Sequence, residues 1–201
     1  TRLEYDVFSH CVSLISVDCF DKLTAIGSSA FFGCKALVSI GDLSNVTSIE
    51  SSVFRGCIAL KSIGNMPKLE SIGMQCFMGC TALETVGDLS SLKEIPSETF
   101  DGCTSLVSIG DLSNVTIIGS YGFNQCKKLT SIPNLGSLES VNQSAFSGCE
   151  SLALLGNLRK LTSFGYLPFY NCPNLVLEVL PDSAAEQYAK DYNMQYTYIT
   201  E

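Results

Sequence analysis

Cysteine recurs every 23 residues along this chain, at Cys11, Cys34, Cys57, Cys80, Cys103, Cys126, Cys149 and Cys172, without one slip. Three residues before each stands a phenylalanine (Phe8, Phe31, Phe54, Phe77, Phe100, Phe123, Phe146, Phe169). Three residues after each stands a leucine (Leu14, Leu37, Leu60, Leu83, Leu106, Leu129, Leu152, Leu175). A fixed period of this length means that each unit is one coil, too short to bury its own apolar face, which gains a core only by stacking on its neighbours.

Four further apolar columns keep the same phase. They are represented by Ile40, Ile63 and Val86, by Leu43, Met66 and Leu89, by Leu23, Val46 and Leu69, and by Ile26, Ile49 and Ile72. The unit reads F-x-x-C-x-x-L-x-x-I-G-D/N-L-x-x-L/V-x-x-I, then about four small or polar residues. Apolar residues at every third position drift around a 3.6-residue helix, and Gly64, Gly87 and Gly110 interrupt the run. A coil that turns these residues inward fits better. The L-x-x-I segments, rich in β-branched residues, are expected as short strands forming a parallel sheet across repeats. The segment ending in Phe-x-x-Cys is expected as a helical turn on the opposite side.

This unit resembles the BspA-like leucine-rich repeats, whose units read L-x-x-I-x-x-x-A-F-x-x-C-x-x-L-x-x-I. The match is close from Leu23 to Ile40 (LTAIGSSAFFGCKALVSI) and from Leu138 to Leu155 (LESVNQSAFSGCESLALL), and it extends over almost the whole chain. The resemblance implies a right-handed leucine-rich-repeat solenoid with a parallel sheet on its concave face and short helical turns opposite. It also implies a secreted or surface-attached protein engaged in adhesion or in binding a host or partner molecule. One departure is that Gly-Asp-Leu or Gly-Asn-Leu mostly stands where family units often carry an apolar residue and Pro.

About eight repeats are expected over residues 1–178, and a terminal cap over 179–201. After Leu175 the period fails, and the remaining sequence reads as an apolar strand, a helix around Ala184 to Tyr192 and a strand from Gln195 to Ile199. Ser183, with Glu186 three residues on, has the spacing of a capping box. No equivalent cap precedes Leu3, so the chain is expected to be a processed product or a fragment of a longer protein.

Of 201 residues, 46% are hydrophobic and 16% charged, the balance of a folded protein. No apolar run approaches the roughly 20 residues that span a bilayer, so direct membrane insertion is not expected. The net charge of −8 repels a phosphate backbone, which argues against a nucleic-acid partner.

The reactive residue types are mostly absorbed by the columns. Parallel coils stack about 4.8 Å apart, and cysteines in register at that spacing are poorly placed for a disulfide, so the thiols read as buried small apolar groups. Cys76 and Cys80 have the spacing of half a zinc site, with no second pair to face them. The column of Asp42, Asn65, Asp88, Asp111, Asn134 and Asn157 is expected to bond turn backbone, with calcium at Asp88 and Asp111 as the sharper alternative. His10 is the only histidine and falls at an unpatterned position, so neither a catalytic triad nor a multi-histidine metal centre can be assembled. No enzyme activity and no cofactor are expected.

Two columns between the Leu and Ile of the strand are not needed for packing. One is nearly all hydroxyl: Ser16, Ser39, Ser62, Thr85, Ser108 and Ser131. The other varies: Ile15, Val38, Lys61, Glu84, Val107, Thr130 and Ala153. Solenoids bind along the sheet-lined concave face, where each strand contributes such outward positions at fixed spacing. The candidate ligand-binding residues are therefore Lys61, Ser62, Glu84, Thr85, Val107, Ser108, Thr130 and Ser131, facing a protein or glycan. The chain is expected to act as a monomer. The alternative is a passive spacer that displays another domain.

Overall fold

In the computed structural model, which describes residues 1–20 and 22–200, the chain is a leucine-rich-repeat solenoid. Each coil contributes two short strands to two separate parallel ladders. The first ladder runs through Arg2–Leu3, Ala25–Ile26, Ser48–Ile49, Ser71–Ile72, Glu94–Ile95, Ile117–Ile118, Ser140–Val141 and Ser163–Phe164. The second runs through Ser16–Val17, Ser39–Ile40, Ser62–Ile63, Thr85–Val86, Ser108–Ile109, Ser131–Ile132 and Leu154–Leu155, and ends on Val176–Val179 and Gln195–Tyr198. Register follows the period, with Ile26 opposite Ile49 and Thr85 opposite Ser108. The residue after each strand donates its N–H to the coil behind, as Gly73 does to Ile49 at 2.8 Å and Gly87 to Ile63 at 3.0 Å. Proline occupies that position at Pro96 and Pro133, where no N–H exists, and the first ladder breaks at one and the second at the other. A further break lies at Gly64, for which the sequence offers no comparable reason.

The Phe-x-x-Cys segment is a run of tight turns and not the expected helical turn. Left-handed backbone explains the difference. The second residue before each Phe has a positive φ, from 47° at Leu167 to 60° at Ser52, and so does the second residue after it. The latter position is held by Gly33, Gly56, Gly79, Gly102 and Gly148, and by His10, Gln125 and Asn171. With both residues left-handed, alternate N–H groups point along the solenoid. In the seven coils from Phe8 to Phe146, the Phe and the residues two before and two after donate to the coil ahead at 2.7–3.1 Å. The N–H groups between and just after them close turns within their own coil, as Arg55 does onto Ser52 at 3.2 Å and Cys57 onto Phe54 at 3.0 Å.

The core lies between ladders and turns. Phe31 through Phe146 form one stack, fully buried, with ring centroids 5.2–5.4 Å apart and nearly parallel planes. Cys34, Cys57, Cys80, Cys103, Cys126 and Cys149 are buried free thiols, as the column spacing predicts. They also do something the sequence does not announce. Each thiol donates to the Phe carbonyl of the coil behind, from 2.9 Å for Cys34 onto Phe8 to 3.2 Å for Cys126 onto Phe100. Burial disfavours the thiolate and pushes the Cys57 thiol up to about 12.

The C-terminal cap contains helix α1 (Ala184–Asp191). Ser183 accepts the Glu186 N–H at 3.2 Å, which is the expected N-cap. The Glu186 carboxylate reaches back to the N–H of Asp182 at 2.8 Å, one residue earlier than the standard box. It also accepts from Tyr198 Oη at 2.6 Å and pairs with Lys190 Nζ at 2.9 Å, although its side chain is nearly buried. Tyr188 closes the aromatic column, stacked on Phe164 at 4.0 Å and edge-on to Phe169 at 5.9 Å.

The turn geometry, the thiol column and the cap each yield a test. A methyl group at Gly148 would run into the Gln125 amide of the coil behind, whereas one at Gly79 meets nothing within 4 Å. Gly79→Ala should cost about 1 kcal/mol for its left-handed backbone alone, and Gly148→Ala about 2–4 kcal/mol. Adding Gln125→Gly should bring Gly148→Ala back near the smaller figure; equal urea midpoints for the two alanine variants would refute the contact. In the folded chain at pH 8, Cys11 and Cys19, both exposed, should react promptly with a chromogenic disulfide, while Cys34 to Cys149 wait for unfolding. Prompt release of all ten thiols would contradict the buried column. Hydrogen bonds from Tyr198, Lys190 and Asp182 hold the Glu186 carboxyl down to about 2, from an ordinary value of 4.5. A depressed carboxyl stabilises the fold above its unfolded value and loses that contribution as pH falls toward the folded one. Tyrosine circular dichroism of the cap should therefore decay between about pH 4.5 and 2. Glu186→Gln should remove that limb, and an unchanged acid profile would rule it out.

Candidate functional site on the second ladder

Inward Leu and Ile columns fix each strand of the second ladder, so the two residues between them must face out. All eight candidate residues lie on this one face. Ser62, Thr85 and Ser108 are register partners in adjacent coils, and Ser131 continues the row beyond Pro133. Lys61, Glu84, Val107 and Thr130 form the neighbouring row. Their backbones are tied together: Glu84 N–H donates to Lys61 at 2.8 Å, Val107 to Glu84 at 2.9 Å and Thr130 to Val107 at 3.3 Å. Seven of the eight are exposed and Ser131 is half-buried. Among the described residues, no ion pair joins Lys61 to Glu84, and both charged ends are open to a ligand. Toward the N-terminus the same row carries Val38, 38% exposed, and Ile15, 64% exposed; Val107, 41% exposed, follows Glu84. The row is thus a Lys–Glu pair of positions flanked by β-branched apolar side chains held about 4.8 Å apart.

The Asp/Asn column turns away from this face into its own turns. Asp42, Asp88 and Asp111 each accept the N–H two residues on at 2.8 Å, the expected local bond. The Ser44 N–H and hydroxyl together hold the Asp42 carboxyl below the usual carboxylate range. Asp88 and Asp111 are each committed to a turn, and among the described residues no group of three His, Cys, Asp or Glu could share a metal ion, either there or at Cys76 and Cys80. His10, expected at an unpatterned position, instead occupies the left-handed place that glycine holds in most coils; it is exposed, with its ring edge-on to Phe32 at 5.0 Å.

Two concavities lie off this face, and the periodic pattern did not point to either. One, of about 360 Å³, crosses the first ladder at Ser28, Glu50, Ser51, Ser71 and Gly73. There Glu50 accepts from Arg2 at 2.5 Å and from the hydroxyl and N–H of Ser28 at 2.9 and 3.0 Å, and these bonds hold its carboxyl below the ordinary value. Its carboxylate is fully engaged. The other, of about 410 Å³, lies between the last Phe turn and the cap. The second ladder's twin, with Glu70, Lys93, Glu94 and Glu139 exposed, was legible as a second L-x-x-I column.

This architecture matches known proteins. A leucine-rich-repeat protein from T. pallidum superposes with a TM-score of 0.62 at 25% identity, covering 100% of this chain and 80% of that one. One from Eubacterium ventriosum gives 0.69 at 25% identity over 79% of this chain and 42% of its own length. A leucine-rich cell-surface protein from Faecalibacterium prausnitzii gives 0.50 at 20% identity over 98% of this chain and 63% of its own, a likeness of fold. No curated protein sequence matches. The model of the BspA-type leucine-rich-repeat region matches in six copies over residues 1–87 and 72–192. The chain belongs to the BspA-type leucine-rich-repeat family.

Proposed function

We propose that this chain is a non-catalytic interaction module of a secreted or cell-surface protein. It binds a host or partner protein or glycan, as a monomer, through the outward face of the second ladder. The observation that carries this reading is the row Ile15, Val38, Lys61, Glu84, Val107 and Thr130, whose side chains vary while the backbone beneath them repeats. A rigid row of this kind costs little ordering entropy on binding. The leucine-rich protein of F. prausnitzii described as a cell-surface protein supports the compartment, and family membership supports an interaction role. The single histidine stands at an exposed turn, which supports reading the chain as a binding module.

The test presents the chain to arrays of extracellular-matrix proteins and of glycans, and then varies the face. Lys61→Glu with Glu84→Lys should weaken capture of the identified partner by about tenfold or more, whereas Lys93→Glu on the first ladder should not. Unchanged binding by the double reversal would remove the assignment to this face. A chain that captures nothing on either array is a spacer.

A further inference from the structure

Seven coils establish what the turn row of N–H groups binds. In each, the Phe and the residues two before and two after donate to three alternate carbonyls of the coil ahead, such as Tyr166, Pro168 and Tyr170 for Ser144, Phe146 and Gly148. The middle acceptor residue is small or compact: Ala30, Val53, Cys76, Thr99, Gly122, Ala145 and Pro168. The eighth coil has the same donors, the N–H groups of Leu167, Phe169 and Asn171, with Leu167 and Asn171 left-handed like their counterparts. Among the described residues no carbonyl or side chain accepts from any of the three. The cap covers the ladder side of this coil and the Phe169 ring, but it leaves the turn row facing the groove of about 410 Å³. Tyr170, Pro173, Tyr188, Tyr192 and Met194 line that groove, and Tyr192 is 62% exposed.

We propose that this groove binds a short stretch of another polypeptide in the turn conformation of the repeats, with three alternate backbone carbonyls accepting from Leu167, Phe169 and Asn171 and a small residue at the centre. The ligand thus takes the place of the turn of a ninth coil. Main-chain bonds supply the affinity, as in strand addition to a sheet edge, and the tyrosine wall supplies side-chain contact. The groove shares no residue with the Lys61–Thr130 face, so the two sites stand or fall separately.

The experiment uses the full chain. It is panned against displayed random peptides of about twelve residues, and an enriched peptide is titrated into nitrogen-15-labelled protein. The amide signals of Leu167, Phe169 and Asn171 should shift and their hydrogen exchange should slow by about tenfold or more. Replacing the Phe169 amide by an ester removes one donor with no partner inside the fold. It also makes the Pro168 carbonyl, which accepts from Phe146, a weaker acceptor, so it should lower the unfolding midpoint only slightly and weaken the peptide about fivefold or more. The same replacement at Phe146, which donates to Pro168, should destabilise the fold and so calibrates the chemistry. Tyr192→Ala should also weaken binding. The proposal is overturned if no peptide is enriched, if the shifts fall on Lys61 and Glu84 instead, or if the Phe169 ester binds equally well. It is also overturned if acetate or inorganic phosphate alone saturates the three amides, which would make the row an anion cradle.

Discussion

Each interior Phe carbonyl is a junction on which the solenoid depends. It accepts the Cys N–H three residues later in its own coil and the Cys thiol of the coil ahead, at 3.0 Å for both donors at Phe54. The same residue sends its N–H forward and stacks its ring on both neighbours. One inserted residue between Phe and Cys would break the turn bond and the thiol bond together, and would leave a buried carbonyl unsatisfied. This explains why the spacing of Phe to Cys and of Cys to Cys holds without exception, while the exposed positions between them change freely.

Much of this architecture was legible because burial imposes a column. Phe, Cys and Leu repeat because each must fit the same interior space, and the periodic pattern fails at Leu175 because the cap no longer needs it. The capping pair Ser183 and Glu186 was likewise readable from spacing. The turn was not. Left-handed backbone two residues before each Phe is carried by Asp6, Ser29, Ser52, Gln75, Glu98, Tyr121, Ser144 and Leu167, polar in all but the last and never glycine. Local bonding and stacking hold those positions, so they lack the glycine that would have announced them. The thiol bonds were hidden for a similar reason, since a buried cysteine looks the same in sequence whether its S–H is used or idle.

The candidate face could be read from variation, because the inward residues on either side of each strand leave the outward pair no choice. Its twin on the first ladder follows from the same logic applied to the second L-x-x-I column. The groove at the cap could not be read this way. It exists because the chain leaves the 23-residue period, and its donors are ordinary repeat positions made unusual only by what stands ahead of them.

The left-handed position after each Phe sets a rule for how such a protein can grow. His10 lies over Gly33 and Gln125 lies over Gly148, close enough that neither glycine could carry a side chain without displacing its neighbour. Asn171, the third non-glycine residue there, has no further Phe turn ahead of it. A long side chain at this site is therefore tolerated only when glycine, or the end of the array, follows. Coils bearing glycine can be duplicated in tandem, and a coil bearing Gln125 cannot be copied next to itself without a compensating change. Gene duplication in this array is thus governed by nearest-neighbour grammar, and the order of its repeats is part of the information the fold requires.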